Sequence, residues 1–148
     1  NHSVTQWRLL PHDKIRRSLL AYESLSGLPI LGFLGLVIKH ILKNARDAAE
    51  SHEGATQHRL TLQTQQNENT LHIAATYNCG GIPDASLAHI LDPFYTTKTP
   101  DKGVGLGLSV SQGIIRSMGG EIEASNQGDG ARIFISLPVV VDNLSGQA

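Results

Sequence analysis

The sequence predicts an α+β fold, and three observations predict it. From residue 30 to residue 50 apolar side chains recur at helical spacing (Leu34, Val37, Ile38, Ile41, Leu42, Ala45), with Lys39, Lys43, Asn44, Arg46 and Asp47 between them. Around residues 59–75 and again around 121–137 the period falls to two, the mark of half-buried strands. A second helical stretch, 108–118, separates the two strand regions and directly follows three alternating glycines, Gly103, Gly105 and Gly107. Helices and strands in such blocks pack as helices laid on a sheet.

Taken in order, residues 1–27 form an N-terminal segment of unassigned role. Within it residues 4–10 read as a strand, and Ile15, Leu19, Leu20 and Tyr22 fit one face of a short helix that Ser26, Gly27, Leu28 and Pro29 end. Residues 28–140 make the domain itself and 141–148 a tail. After the 30–50 helix, 51–56 is a loop, and 59–65 is a strand with Leu60 and Leu62 on one face. Asn67, Glu68 and Asn69 make a turn, and Leu71, Ile73 and Ala75 alternate on the returning strand. That hairpin delivers Tyr77-Asn78-Cys79-Gly80-Gly81-Ile82, whose glycines suit a backbone bending beneath a flat ligand. Residues 84–91 read as a short helix entered through Pro83-Asp84 and stopped at Asp92-Pro93-Phe94, with Phe94 expected to pack under the following loop. The 108–118 helix ends at Gly119-Gly120. Strands 121–124 and 132–137 follow, joined by a turn over 126–130, and 139–148 read as frayed.

Composition narrows the class. The chain has 148 residues, enough for one real core. Hydrophobic residues make up 40% and charged ones 17%, ordinary globular values, and a net charge of −1 leaves no electrostatic footprint for nucleic acid. One cysteine, Cys79, excludes an internal disulfide framework and a multi-cysteine zinc site. The most apolar stretch, 28–38, is broken by Gly32 and Gly35 and closed by Lys39 and His40, far short of a membrane span.

The chemistry concentrates between Asp92 and Val110. A flexible Gly-Val-Gly-Leu-Gly backbone running into a helix N-terminus is suited to an anion, because unpaired first-turn N–H groups and the positive end of the helix dipole meet there. Lys98, five residues upstream, can bring a mobile charge. The spacing matches neither the dinucleotide fingerprint nor the Gly-x-x-x-x-Gly-Lys phosphate loop.

Four segments, in order, carry a resemblance to a known family. Asn44-Ala45-Arg46-Asp47-Ala48, Asn78-Cys79-Gly80-Gly81-Ile82-Pro83, Asp92-Pro93-Phe94-Tyr95-Thr96-Thr97-Lys98 and Gly103-Val104-Gly105-Leu106-Gly107-Leu108 resemble the N, G1, F and G2 boxes of the ATP-binding domain of sensor histidine kinases. The similarity spans residues 36 to 138. It implies the Bergerat fold: a two-layer α/β sandwich, a mixed β-sheet with helices on one face, and the nucleotide site between helix 34–50, the 77–82 turn and a short lid. Gyrase-like, Hsp90-like and MutL-like ATPases share that fold, but the 92–98 segment and the compact length favour the kinase branch. The implied ligands are ATP and Mg²⁺, with Mg²⁺ held by the Asn44 carbonyl oxygen. His40 and Asn44 stand at the catalytic positions. Lys43, Asp47, Tyr77, Gly81, Ile82, Phe94, Thr97, Lys98, Gly103, Gly105, Leu106, Gly107 and Leu108 stand at the ATP-binding ones. The implied partners are the phosphoacceptor and dimerisation domain of a parent kinase and a response regulator, with no nucleic acid and no membrane contact by this domain. The implied location is cytoplasmic, including the cytoplasmic part of a membrane sensor.

The chain departs from the family at four places. Tyr77 stands where an Asp accepts the adenine amino group, Cys79 where a Gly is usual, Ala131 where a Thr often supports that Asp, and His40 where a second Asn, or in the other ATPases a Glu base, is found. His12-Asp13 echoes the kinase phosphoacceptor box, but the following Arg is misplaced and no Pro follows, so His12 reads as a surface residue. Two functions therefore stay open. One is a catalytic domain that passes the ATP γ-phosphoryl to a His on a separate dimerisation domain. The other is a degenerate kinase domain with weak or absent ATP binding that works as a docking module.

Overall fold

The computed structural model describes residues 6–7, 30–52, 57–101 and 103–139. Their elements are β1 (Gln6–Trp7), α1 (Ile30–Ser51), β2 (Leu60–Asn67), β3 (Thr70–Tyr77), α2 (Asp84–Leu87), α3 (Gly107–Ser117), β4 (Glu121–Gln127) and β5 (Gly130–Pro138). The sheet runs β1-β2-β3-β5-β4. β1 is parallel to β2 and every other pair is antiparallel, so the sheet is mixed as expected. The proposed helix around residues 15–22, His12 and the 141–148 tail lie outside the described residues.

Strand alternation decides the core. Leu71, Ile73 and Ala75 of β3 pair with Leu137, Ile135 and Ile133 of β5, and Ile135 pairs in turn with Ile122 of β4. These side chains share one face, where they meet Val37 and Ile41 of α1, Ile115 of α3, and Met118 in a single buried cluster. Both long helices therefore cover the same face, giving the two layers. On the other face the His72 and Phe134 rings stack with centroids 5.3 Å apart, and the Arg132 guanidinium lies 4.5 Å above the Phe134 ring. Among the described residues no helix is long and apolar enough to cross a membrane.

Helix ends follow local chemistry. At the end of α3 the Gly119 N–H donates to Arg116 and the Gly120 N–H to Ile115, with Gly119 at φ 75°, so this glycine stop closes as a Schellman motif. At the end of α1 the Ser51 hydroxyl donates to the Asp47 carbonyl.

The structure corrects three expectations. The 84–91 helix is one turn long, Asp84–Leu87, and continues as turns, because it buries no residue that would hold a longer helix against the core. β4 and β5 extend almost to each other, so the turn between them is only Gly128-Asp129. Val139 is buried and its N–H donates to the Asn69 carbonyl at 2.8 Å, so the chain stays packed one residue beyond β5.

Ile135 lies on the central strand with no exposed surface. Replacing it with Ala should cost about 2–5 kcal/mol in a denaturant titration, whereas Phe94→Ala should stay within about 0.5 kcal/mol, since Phe94 is exposed.

Candidate nucleotide site

Because Val37, Ile41 and Ala45 of α1 are committed to the core, the neighbouring stripe of His40, Asn44 and Asp47 faces sideways. That stripe is one wall of a cleft of about 740 Å³. The 77–82 turn forms its floor, residues 95–99 and 103–106 its lid and the start of α3 its far end. His40, Lys43, Asn44, Asp47, Tyr77, Gly81, Ile82, Thr97, Lys98, Gly103, Gly105, Leu106, Gly107 and Leu108 all line this one space.

Phe94 does not. It is 72% exposed and lies outside the cleft, contrary to the expectation that it packs beneath the lid. The Phe94 N–H donates to the Gly105 carbonyl at 3.0 Å, and Phe94 adopts φ 65°, a left-handed conformation; with the backbone so placed the ring stands in solvent. The same crossing makes Gly105 obligatory. It sits at φ 73°, and a Cβ there would lie 2.5 Å from the Tyr95 carbonyl oxygen.

Lys98 ties the lid across the cleft. Lys98 Nζ donates to Asp47 Oδ2 at 2.6 Å and to Asn44 Oδ1 at 3.2 Å. Lys43 Nζ donates to the same Asp47 oxygen at 2.9 Å. Burial pushes the Asp47 carboxyl up, but the hydrogen bonds and charges of Lys98 and Lys43 outweigh it and hold the carboxyl below its ordinary value. Thus two oxygen donors already converge on a cationic group. Such hard, anionic and amide oxygens are the donor chemistry that Mg²⁺ takes, so the residues present fit the metal.

At the far end, α3 starts at Gly107 with no side chain capping it and no acidic residue in its first turn. Its first N–H groups are left for an anion. His40 meets this turn, with Nδ1 3.1 Å from the Ser111 hydroxyl. Burial, together with the charges of Lys39 and Lys43, lowers the His40 pKa against the opposing pull of the Gly107 carbonyl, so the ring is neutral near pH 7.

The floor is apolar: Tyr77 packs with Ala45, Cys79 and Ala131 and is 6% exposed. Burial, with a smaller effect from Cys79, pushes the Tyr77 phenol up to about 12, so it offers a neutral oxygen. Burial and then Asp129 push the Cys79 thiol up as well; it lies 3.7 Å from His58 Nδ1 and is a filler, not a thiolate.

Sequence reading missed Ser111 and Asn126. Asn126 clamps the floor turn with both ends of its amide, accepting from the Ile82 N–H and donating to the Ile82 carbonyl, each at 2.7 Å. Its place at the end of a strand, beside a turn, gave no sign of a contact 44 residues away in sequence.

Residues 32–141 match the family model of histidine kinase-, DNA gyrase B- and HSP90-like ATPases. The chain belongs to this ATPase family. Its sequence is similar to the two-component sensor PprA of Pseudomonas aeruginosa, 39% identical over 112 residues, which is 74% of this chain and 12% of that protein. The chain thus spans a small part of this relative's length. Among solved structures, the mycobacterial sensor histidine kinase MprB superposes with a TM-score of 0.64 at 20% identity, covering 86% of this chain and 95% of that one, a likeness of fold. The catalytic domain of histidine kinase ThkA superposes with a TM-score of 0.54 at 28% identity, covering 69% and 66%. The family's Bergerat fold is the α/β sandwich described above, and this ATPase domain is of the histidine kinase type.

A carboxyl held low in the folded state contributes stability that is complete above its unfolded value and is lost as pH falls through the folded one. The wild-type domain should therefore be more stable than Asp47→Asn at pH 7. Denaturant titrations should show that gap closing as the pH drops below the ordinary carboxylate range, about 4.

Proposed function

We propose that this domain binds Mg²⁺·ATP in the cleft and presents the γ-phosphoryl for transfer to a histidine on a separate dimerisation domain of a sensor kinase. The parent's response regulator would then be the downstream acceptor, and the cytoplasm the place of action. The observation that carries this reading is the convergence of Asn44, Asp47 and Lys98 with the uncapped start of α3 in one cleft.

Phosphoryl transfer asks a protein mainly for positioning and charge neutralisation. In this reading the α3 amides and the backbone around Gly105 and Gly107 hold the phosphate chain. Lys98 leaves Asp47 to meet the phosphates, while Lys43 stays to neutralise that carboxylate. Asn44 would hold Mg²⁺ through Oδ1, and the metal supplies charge neutralisation of the phosphate oxygens when bound. The base would lie over Gly81 and Ile82, near the neutral Tyr77 oxygen. The docking-module reading rests on Tyr77 and His40 alone, and the phosphate-facing half of the cleft gives it no support.

Calorimetric titration with Mg²⁺·ADP and Mg²⁺·ATP tests the reading, with saturable 1:1 binding expected. Gly105→Ala should abolish that binding, because its Cβ meets the Tyr95 carbonyl. Tyr77→Asp should tighten it by about tenfold to a hundredfold, as a charged acceptor replaces a neutral one. A wild-type chain that binds neither nucleotide, with a native denaturation profile, contradicts the proposal.

A further inference from the structure

The hydrogen bonds behind His40 bear on which ring nitrogen carries its hydrogen. The Ser111 hydroxyl has one hydrogen and donates it to the Gly107 carbonyl, 2.8 Å away in its own helix. With the hydroxyl hydrogen so placed, the oxygen is an acceptor toward His40 Nδ1 at 3.1 Å, an arrangement that puts the ring hydrogen on Nδ1. Nε2 keeps its lone pair on the ring edge away from Ser111. A neutral imidazole whose Nδ1–H is fixed by an oxygen acceptor is the arrangement that orients a histidine for metal ligation through Nε2.

His40 is also placed for that role. It lies one helical turn before Asn44, and both line the cleft. The Asn44 oxygen already faces a cationic group, the Lys98 ammonium at 3.2 Å. An asparagine at position 40 would add one more hard oxygen; a histidine adds a softer nitrogen.

We propose that His40 Nε2 ligates the nucleotide-bound divalent cation beside Asn44 Oδ1, and that this makes the site select a first-row transition metal ion over Mg²⁺. The inference rests on the reading of the cleft as a metal–nucleotide site. Mg²⁺ is held by oxygen and parts reluctantly with water, whereas transition ions accept imidazole readily.

Mn²⁺·ADP is the probe. The full chain, uniformly labelled with ¹⁵N, is loaded with Mn²⁺ and unlabelled ADP, and pulsed electron paramagnetic resonance reads nitrogen bound to the metal, the label separating protein nitrogen from that of the base. A ¹⁵N coupling of directly bound imidazole is expected in the wild type and absent in His40→Asn. In calorimetry at saturating metal, Mn²⁺·ADP should bind about tenfold more tightly than Mg²⁺·ADP, a preference that His40→Asn reduces to near parity. Binding of Mn²⁺·ADP without protein ¹⁵N coupling overturns the assignment whether or not the variant folds, as does a preference unchanged in His40→Asn. Failure of the wild type to bind either complex overturns the nucleotide reading itself, and the assignment with it.

Discussion

One helix has to satisfy two surfaces at once, and the rest of the site follows from that. α1 buries Val37, Ile41 and Ala45 against the sheet and the apolar floor, and a helix that commits one stripe has no freedom to turn its neighbouring stripe. His40, Asn44 and Asp47 are therefore aimed into the cleft by hydrophobic packing, not by their own chemistry. The same packing brings α1 against the start of α3, where Gly107 leaves room for the His40 ring, 3.6 Å from where a Cβ would stand. A methyl group there would sit in ordinary contact with that ring, so the two walls already stand as close as a small residue allows.

The second layer of organisation is electrostatic. Asp47 is almost fully buried, and an unpaired carboxylate there would be costly. Lys43 from its own helix and Lys98 from the lid remove that cost, and in doing so Lys98 draws the lid onto α1. A ligand bearing phosphates and a cation would compete for the members of this cluster, since the ion pairs already bring opposite charges together there. The lid is thus positioned by charge over a cleft whose floor is positioned by hydrogen bonds, with Asn126 holding Ile82 at both backbone groups.

Elements whose period and burial agree were legible from residues alone: α1, β3, β5 and the glycine stop after α3. The glycine run leading into the start of α3 was legible too, since alternating glycines before a helical period announce that junction locally. What stayed hidden depends on distance. Nothing in β3 states that it pairs with β5, and only that pairing carries Asn126 to Ile82. Ser111 reads as a polar residue in a helix, and its role appears only when α3 lies against His40. Phe94 misled because an apolar ring is expected indoors, whereas its hydrogen bond to Gly105 decides where its backbone, and so its ring, must point. The short α2 misled for the opposite reason: helical spacing without a buried face does not sustain a helix.

On the proposed reading, α1, the lid and the start of α3 make one binding site. Titrating ¹⁵N-labelled protein with Mg²⁺·ADP while following backbone and side-chain amide resonances tests it most directly. The largest shifts should fall together on the Asn44 side-chain amide, the Thr97 and Lys98 amides of the lid, and Gly105, Gly107 and Leu108. Saturating shifts confined to another surface, such as the β2–β3 turn, with these residues unmoved, would contradict it.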